Sequence, residues 1–114
     1  MTGDPIAYHL VPTGAWQDAP ADQPFHPASL GTEGFVHLTH RMADLVEVAN
    51  QLYREERGPH VVLTIALDRL TVPWRHDGDE RFPHVYGPLD RAAIVEVRPM
   101  GRDTEGGFHP PAVR

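Results

Sequence analysis

The sequence predicts an α+β domain with a bent or split β-sheet and one main amphipathic helix. Three observations predict this class: the β-forming segments are short, only one segment has a long helical period, and strands do not alternate regularly with helices. At 114 residues the chain suffices for one hydrophobic core rather than two. We predict a single domain over residues 1–100 and a flexible C-terminal tail over 101–114, where Gly, Pro and charge dominate.

The N-terminal third of the chain predicts one strand and a long loop. Residues 6–11 alternate like a strand, which Pro12 ends. Thr13 can then cap a short helical turn. Residues 17–33 contain prolines and short polar residues, which favour a surface loop of the kind that often serves as a lid.

The middle of the chain predicts the main helix and the most deeply buried strand. Residues 34–38 form a predicted strand, and a helix follows over residues 40–54 with Thr39 as its N-cap. The residues of its apolar stripe are Met42, Leu45, Val46, Ala49, Leu52 and Tyr53. Residues 60–67 are apolar with little alternation, which predicts a central strand buried on both faces. Shorter strands are predicted around 73–76, 82–87 and 93–98.

Composition excludes several classes of chemistry. There is no cysteine, so disulfides, iron–sulfur clusters and thiol nucleophiles are excluded, and every basic residue is arginine, which excludes lysine Schiff bases. A net charge of −6 disfavours broad, charge-driven binding to nucleic acid or to anionic membranes. No apolar run approaches the length of a bilayer span and no secretory signal pattern is present, so we expect a cytoplasmic protein.

Three histidines lie in β-forming segments, which is the strongest functional signal. His9, His37 and His84 would each project from a rigid strand, where packing can fix an imidazole and shift its pKa. We therefore predict that they line one cleft, with Tyr86 offering a flat face to a planar ring. Two other interpretations stay open: His37 as a core histidine bonded to a carbonyl, and residues 82–87 as an edge strand with packed aromatics.

Thr39 and His40 would lie at the start of the main helix. Free amides and the helix dipole favour an anion such as phosphate at that position. Alternatively, Thr39 only caps the helix and His40 is solvated. His37 and His40 also have the outline of a metal pair, which His9 or His84 would have to complete.

The combined motifs resemble domain-of-unknown-function family 952, a group of small bacterial proteins. The matching segments are Tyr-His-Leu near the start, Glu-Gly-Phe-Val-His-Leu-Thr in the middle and Phe-Pro-His-Val-Tyr-Gly-Pro-Leu late in the chain. The resemblance covers roughly residues 6–100. It implies an ADP-ribosyltransferase-like fold, related to RNA 2′-phosphotransferase, in which a split sheet grips NAD.

The resemblance also implies roles for individual residues. His9 matches a histidine that bonds an NAD ribose hydroxyl, and His37 matches the residue that packs on nicotinamide. The third motif strand of that fold usually carries a glutamate that stabilises the positively charged ribose. In this sequence the strand begins near His84 and no such glutamate is evident; Glu80 is the nearest carboxylate.

The predicted function is therefore binding of NAD, or of a related ADP-ribose compound, in a histidine-lined cleft, with transfer of ADP-ribose as the reaction. The predicted catalytic residues are His9, His37 and His84, and the predicted ligand-binding residues are His9, His37, Thr39, His40 and Tyr86. No metal cofactor is expected. Two alternatives remain, a noncatalytic nucleotide-binding module and a metal-dependent hydrolase that uses the histidines.

Overall fold

The computed structural model describes residues 5–112, which contain short antiparallel strands, helices and two 3-10 turns. The elements in chain order are β1 (Ile6–Pro12), α1 (Thr13–Asp18), α2 (Ala28–Glu33), β2 (Val36–His37), α3 (Met42–Leu52), β3 (His60–Ala66), a 3-10 turn (Leu67–Arg69), β4 (Trp74–His76), β5 (Pro83–Val85), a second 3-10 turn (Arg91–Ala93), β6 (Ile94–Pro99), β7 (Gly101–Arg102) and β8 (Phe108–His109). Within residues 5–112, no helix is long and apolar enough to cross a membrane. The predicted α+β class is confirmed.

The larger sheet has the antiparallel order β1-β3-β6, and every residue of β3 is buried. Side chains alternate along β3, so Leu63 and Ile65 pack into one apolar cluster while Val62 packs into a second, against α3 and β8. The prediction of a central strand buried on both faces is confirmed. Because β1 is an edge strand of this sheet, its outer edge can border a cavity.

The smaller sheet has the order β2-β5-β4, and an isolated backbone bridge between Tyr8 and Thr39 links it to the larger one. The amide of Tyr8 donates to the carbonyl of Thr39 at 2.7 Å, and the amide of Thr39 donates to the carbonyl of Tyr8 at 2.9 Å. This bridge fixes β2 beside the outer edge of β1. It thereby brings His9 and His37 together.

The backbone hydrogen bonds of residues 39 and 40 bear on two predictions about the main helix. The helix starts at Met42 after Arg41, so Thr39 is not its N-cap, because backbone pairing with Tyr8 holds Thr39 in extended structure. The amide of His40 donates to the carbonyl of Arg81 at 3.0 Å. The amides of residues 39 and 40 are therefore not free, because both have carbonyl partners.

Residues 17–33 are more ordered than the predicted loop, because the helix α2 occupies their last six positions. Gly34 ends this helix with φ of 84°, a left-handed conformation that glycine adopts without a Cβ clash. The Thr13 cap is also wrong: Thr13 is the first residue of α1, and Pro12 precedes it without a side-chain cap. Because of the turn at Gly34, the end of α2 lies close to β2.

The flexible tail predicted over residues 101–114 is wrong for residues 101–112. Strands β7 and β8 form a hairpin, and the side chain of Phe108 is only 1% exposed against α3. The Asn50 carboxamide accepts from the Phe108 amide at 2.7 Å and donates to its carbonyl at 3.1 Å. The hairpin thus belongs to the same folded body as residues 5–100, and positions 113–114 lie outside the described residues.

Candidate ligand-binding site

A cavity of about 650 Å³ borders the outer edge of β1 and lies between residues 18–33 and helix α3. This volume falls within the roughly 300–1,000 Å³ of typical small-molecule sites. Three carboxylates line it, those of Asp18, Glu33 and Glu56. No arginine of the described chain lines it, so the cavity wall is acidic.

His9 presents a neutral acceptor nitrogen at this site. Its Nδ1 lies 2.9 Å from the carbonyl oxygen of His37. A carbonyl only accepts, so Nδ1 carries the proton and Nε2 keeps a lone pair. Burial lowers the pKa of His9 to about 4, although the bond to the His37 carbonyl partly opposes the shift. His9 is therefore uncharged at neutral pH.

His37 projects into the same cavity and is paired with a carboxylate. Its neighbours Val36 and Leu38 are fully buried, so alternation turns the His37 side chain away from the core, where it is 44% exposed. Its Nε2 lies 3.1 Å from Oε2 of Glu33, the last residue of α2. In the neutral ring Nε2 donates to the carboxylate, and Nδ1 is then left as an acceptor.

A second Glu–His pair lies where the cavity passes round the edge of β1. His60 begins β3 and its side chain is 1% exposed, while Nε2 lies 3.6 Å from Oε1 of Glu56. Tyr53 lies in the same wall. Burial raises the pKa of Tyr53, and the carboxylates of Glu33 and Glu56 raise it further. Since both charges act on Tyr53, the two Glu–His pairs belong to one electrostatic environment.

His84 and Tyr86 do not line the cavity but form a ring cluster behind His37. The rings of Phe35 and His84 stack with centroids 4.2 Å apart, and His37 meets His84 edge-on at 5.2 Å. Asp77, rather than Glu80, is the carboxylate of this cluster. It accepts from Nδ1 of His84 at 3.0 Å and from the hydroxyl of Tyr86.

The phenol–carboxylate bond is the largest cause that lowers the pKa of Asp77, and the His84 and Arg75 bonds add to it. The cluster supports the ring of His37 from behind. Nδ1 of His84 and the hydroxyl of Tyr86 are both bonded to Asp77 within the cluster.

His40 also lies outside the cavity wall. Its Nδ1 bonds the carbonyl of Ile6 at 2.9 Å, and its Nε2 lies 2.9 Å from Nε2 of His76. This pair involves only two imidazoles. Across residues 5–112, no group of three or more His, Cys, Asp or Glu side chains is arranged to hold a metal ion.

The structure thus brings His9, His37 and Thr39 into one cavity wall. Sequence reasoning missed the two carboxylates that pair with histidines there. The sequence carries only the spacing as a signal: Glu33 precedes His37 by four residues, and Glu56 precedes His60 by four. The first of these pairs crosses a turn rather than following one helix, so helical spacing alone did not reveal it.

Comparison with known proteins places this chain in a family. Residues 10–97 match the family described as protein of unknown function (DUF952). The chain belongs to the DUF952 family. The crystal structure of CC0527 from Caulobacter crescentus is similar to this member, with 25% sequence identity and a TM-score of 0.73 over 91% of this chain and 93% of that one.

The solution NMR structure of CC0527 is similar too, with 25% identity and a TM-score of 0.68 over 90% of each chain. No curated protein matches this DUF952 chain. The shared fold covers nine-tenths or more of this chain.

Proposed function

We propose that the cavity binds the nicotinamide–ribose half of NAD, or of a related ADP-ribose compound, and that the protein transfers the ADP-ribosyl group on an ADP-ribosyltransferase-like fold. The observation that carries the proposal is the neutral acceptor of His9 beside the Glu33–His37 pair in an acidic cavity. An acceptor nitrogen suits a ribose hydroxyl. A nearby carboxylate suits a sugar that becomes positively charged.

The carboxylate of Glu33 supplies the charge that the late strand lacks. Cleavage at C1′ of the ribose builds positive charge there, and a fixed negative group stabilises that transition state more than the ground state. The glutamate expected on the third motif strand is absent, and Glu33 reaches the cavity from α2 instead.

The proposed reaction balances with residues of the site. The bond from C1′ to the pyridinium nitrogen breaks, and both electrons stay with the nitrogen, so nicotinamide leaves uncharged. The oxygen of water or of an acceptor hydroxyl forms the new bond to C1′. Its proton passes to the free Nδ1 of His37, which the Glu33 carboxylate stabilises in the protonated form.

The outer edge of β1 suits the carboxamide of nicotinamide. The amide and carbonyl of Tyr8 bond Thr39 and so point away from β3; by alternation those of Leu10 also point outward, at the cavity wall. A carboxamide has both a donor and an acceptor. It can therefore form two hydrogen bonds with the amide and carbonyl of Leu10, as an added strand would.

The charge of the wall sets the expected ligand preference. Because no arginine lines the cavity within residues 5–112, a diphosphate finds no cationic partner and should stay at the mouth. Nicotinamide riboside carries the pyridinium charge without a phosphate. It should therefore bind more tightly than ADP-ribose, which is anionic and has no pyridinium.

Titration calorimetry with nicotinamide riboside, NAD and ADP-ribose tests this order, together with chromatographic detection of released nicotinamide. Glu33→Gln should weaken nicotinamide riboside binding about tenfold, or about 1.4 kcal/mol, and should suppress nicotinamide release from NAD. Glu105→Gln is the matched control, because Glu105 is an exposed carboxylate outside this cavity. Tighter binding of ADP-ribose than of nicotinamide riboside would contradict the proposal, and binding without release would leave a noncatalytic module.

A further inference from the structure

We infer that the end of the cavity beside α3 is a second subsite, which binds an alcohol with an apolar body. Its apolar wall consists of Leu10, Pro12, Leu45 and Val48, and its polar atoms come from Tyr53 and Glu56. The inference does not rest on the proposed function, because none of these side chains takes part in the proposed reaction.

The strand β1 separates this end of the cavity from the end at His9. Side chains alternate along β1, so His9 and Val11 face the apolar cluster on one side of the larger sheet, whereas Leu10 packs with Leu45 on the other side. Val48 follows Leu45 by three residues in α3, so both lie on the same helix face. A ligand beside α3 therefore contacts different side chains from a ligand at His9.

Part of the apolar wall is accessible to a ligand. Leu10, Pro12 and Val48 are only half-buried, although all three line the cavity. Tyr53 comes directly after the last residue of α3, and it is 37% exposed. An apolar group that covers these side chains removes their surface from water, which is the main favourable contribution to binding in apolar sites.

Two polar groups at this end form no hydrogen bond within residues 5–112, namely the hydroxyl of Tyr53 and Oε2 of Glu56. The amide of Glu56 donates to the carbonyl of Tyr53 at 2.9 Å, so one backbone turn holds both residues. The side chain of Glu56 is 47% exposed, and its Oε1 lies 3.6 Å from Nε2 of His60. Oε2 is thus left for a ligand, whichever nitrogen of His60 carries a proton.

The two polar groups have opposite hydrogen-bonding roles. Burial and the carboxylates of Glu33 and Glu56 raise the pKa of Tyr53, so its hydroxyl keeps its proton at neutral pH and can donate. The carboxylate of Glu56 only accepts. An alcohol can accept from Tyr53 and donate to Glu56 at the same time, because a hydroxyl is both a donor and an acceptor. An ether lacks the donor, and an anionic ligand is repelled by both glutamates.

The test compares 2-phenylethanol, its methyl ether and phenylacetate in protein without NAD. Carbon-13 spectra of the methyl groups follow Leu10 and Val48. The alcohol should shift both resonances saturably, and the ether and phenylacetate should bind about tenfold more weakly, since each loses the hydrogen bond to Glu56. Equal binding of the alcohol and the ether, or an alcohol that leaves both resonances unmoved, would overturn the inference.

A variant pair makes the same test by a second route. Tyr53→Phe keeps the ring and removes the donor, so it should weaken 2-phenylethanol binding about fivefold. Tyr8→Phe is the matched control, since Tyr8 does not line this cavity. Unchanged binding in Tyr53→Phe, or an equal loss in Tyr8→Phe, would also overturn the inference.

The two proposals fail separately. Wild-type protein that binds nicotinamide riboside but not 2-phenylethanol would overturn the second subsite alone. Protein that binds 2-phenylethanol but not nicotinamide riboside would retain the second subsite and overturn the NAD proposal. The wild-type comparison needs no variant, so it holds even if Tyr53→Phe does not fold.

Discussion

Histidine residues in one cavity differ in their chemistry because their hydrogen-bond partners differ. A backbone carbonyl places the proton of His9 on Nδ1 and exposes Nε2 as an acceptor. A carboxylate places the proton of His37 on Nε2 and exposes Nδ1. The partner of each ring thus decides which nitrogen faces the ligand, and these partners come from distant parts of the chain.

His9 should make stability depend on pH on the acid side. Its pKa is about 4 in the folded protein against 6.5 for a free histidine, so the unfolded chain binds more protons between these values. Stability should therefore fall as pH is lowered from 6.5 to 4, by about 2–3 kcal/mol in total. His9→Asn keeps a donor for the His37 carbonyl but cannot titrate, so urea unfolding between pH 7 and pH 4 should show a shallower decline.

The matched control is His26→Asn, which changes an exposed histidine of the same cavity and should retain the wild-type slope. The carboxylates of Asp79 and Asp103 have pKa values lowered to about 2, mainly by bonds from Arg81 and His109. Their contributions are lost mainly below pH 4, and they are the same in wild type and in His9→Asn, so they cancel in the comparison. Parallel pH curves for wild type and His9→Asn would contradict the assignment of a neutral His9.

At the scale of elements, the C-terminal hairpin acts as part of the core. Phe108 of β8 packs with Ala49 of α3 and Val62 of β3, and its side chain is 1% exposed. Phe108→Ala should destabilise the protein by about 3–5 kcal/mol, since the cavity left behind cannot close fully. Chemical denaturation monitored by circular dichroism measures this change.

Thr104→Ala is the control at this scale, because Thr104 is exposed in the turn of the same hairpin. Its effect should stay within about 0.5 kcal/mol. A Phe108→Ala variant as stable as wild type would mean that residues 101–112 are dispensable, as the sequence had suggested.

The elements that could be predicted are those with a local signal. The alternation of β1, the apolar run of β3 and the helical stripe of α3 depend on neighbouring residues only, and each appears close to its predicted position. Strands β7 and β8 have two residues each; they pair with each other, and distant residues of α3 and β3 cover Phe108. No pattern within two residues can reveal such a strand.

The residues of the candidate site also divide into those with a local signal in the sequence and those without one. His9 and His37 were predictable because each lies between β-forming residues that fix its direction. Glu33 was not, because its approach to His37 depends on the left-handed turn at Gly34. His60 was hidden for a different reason: it begins a strand that is buried throughout, and its polar surroundings appear only when Glu56 is placed beside it.

At the scale of the whole molecule, charge and topology act together on the cavity. The chain carries a net charge of −6, and the wall of its cavity is acidic. The Tyr8–Thr39 bridge links the two sheets, and the outer edge of β1 beyond it borders the cavity. A cationic ligand therefore meets favourable long-range and local potentials at the same place.

This arrangement predicts a strong effect of salt on cation binding. The Debye length falls from about 30 Å at 0.01 M to about 10 Å at 0.1 M, so net charge acts on a ligand much less at the higher concentration. The Kd of nicotinamide riboside should rise about threefold or more over this range, as measured by calorimetry. Nicotinamide is the control, because it has the same ring and carboxamide without the charge. If both Kd values respond equally to salt, then the acidic wall does not select the cation, and the preference over ADP-ribose must come from shape.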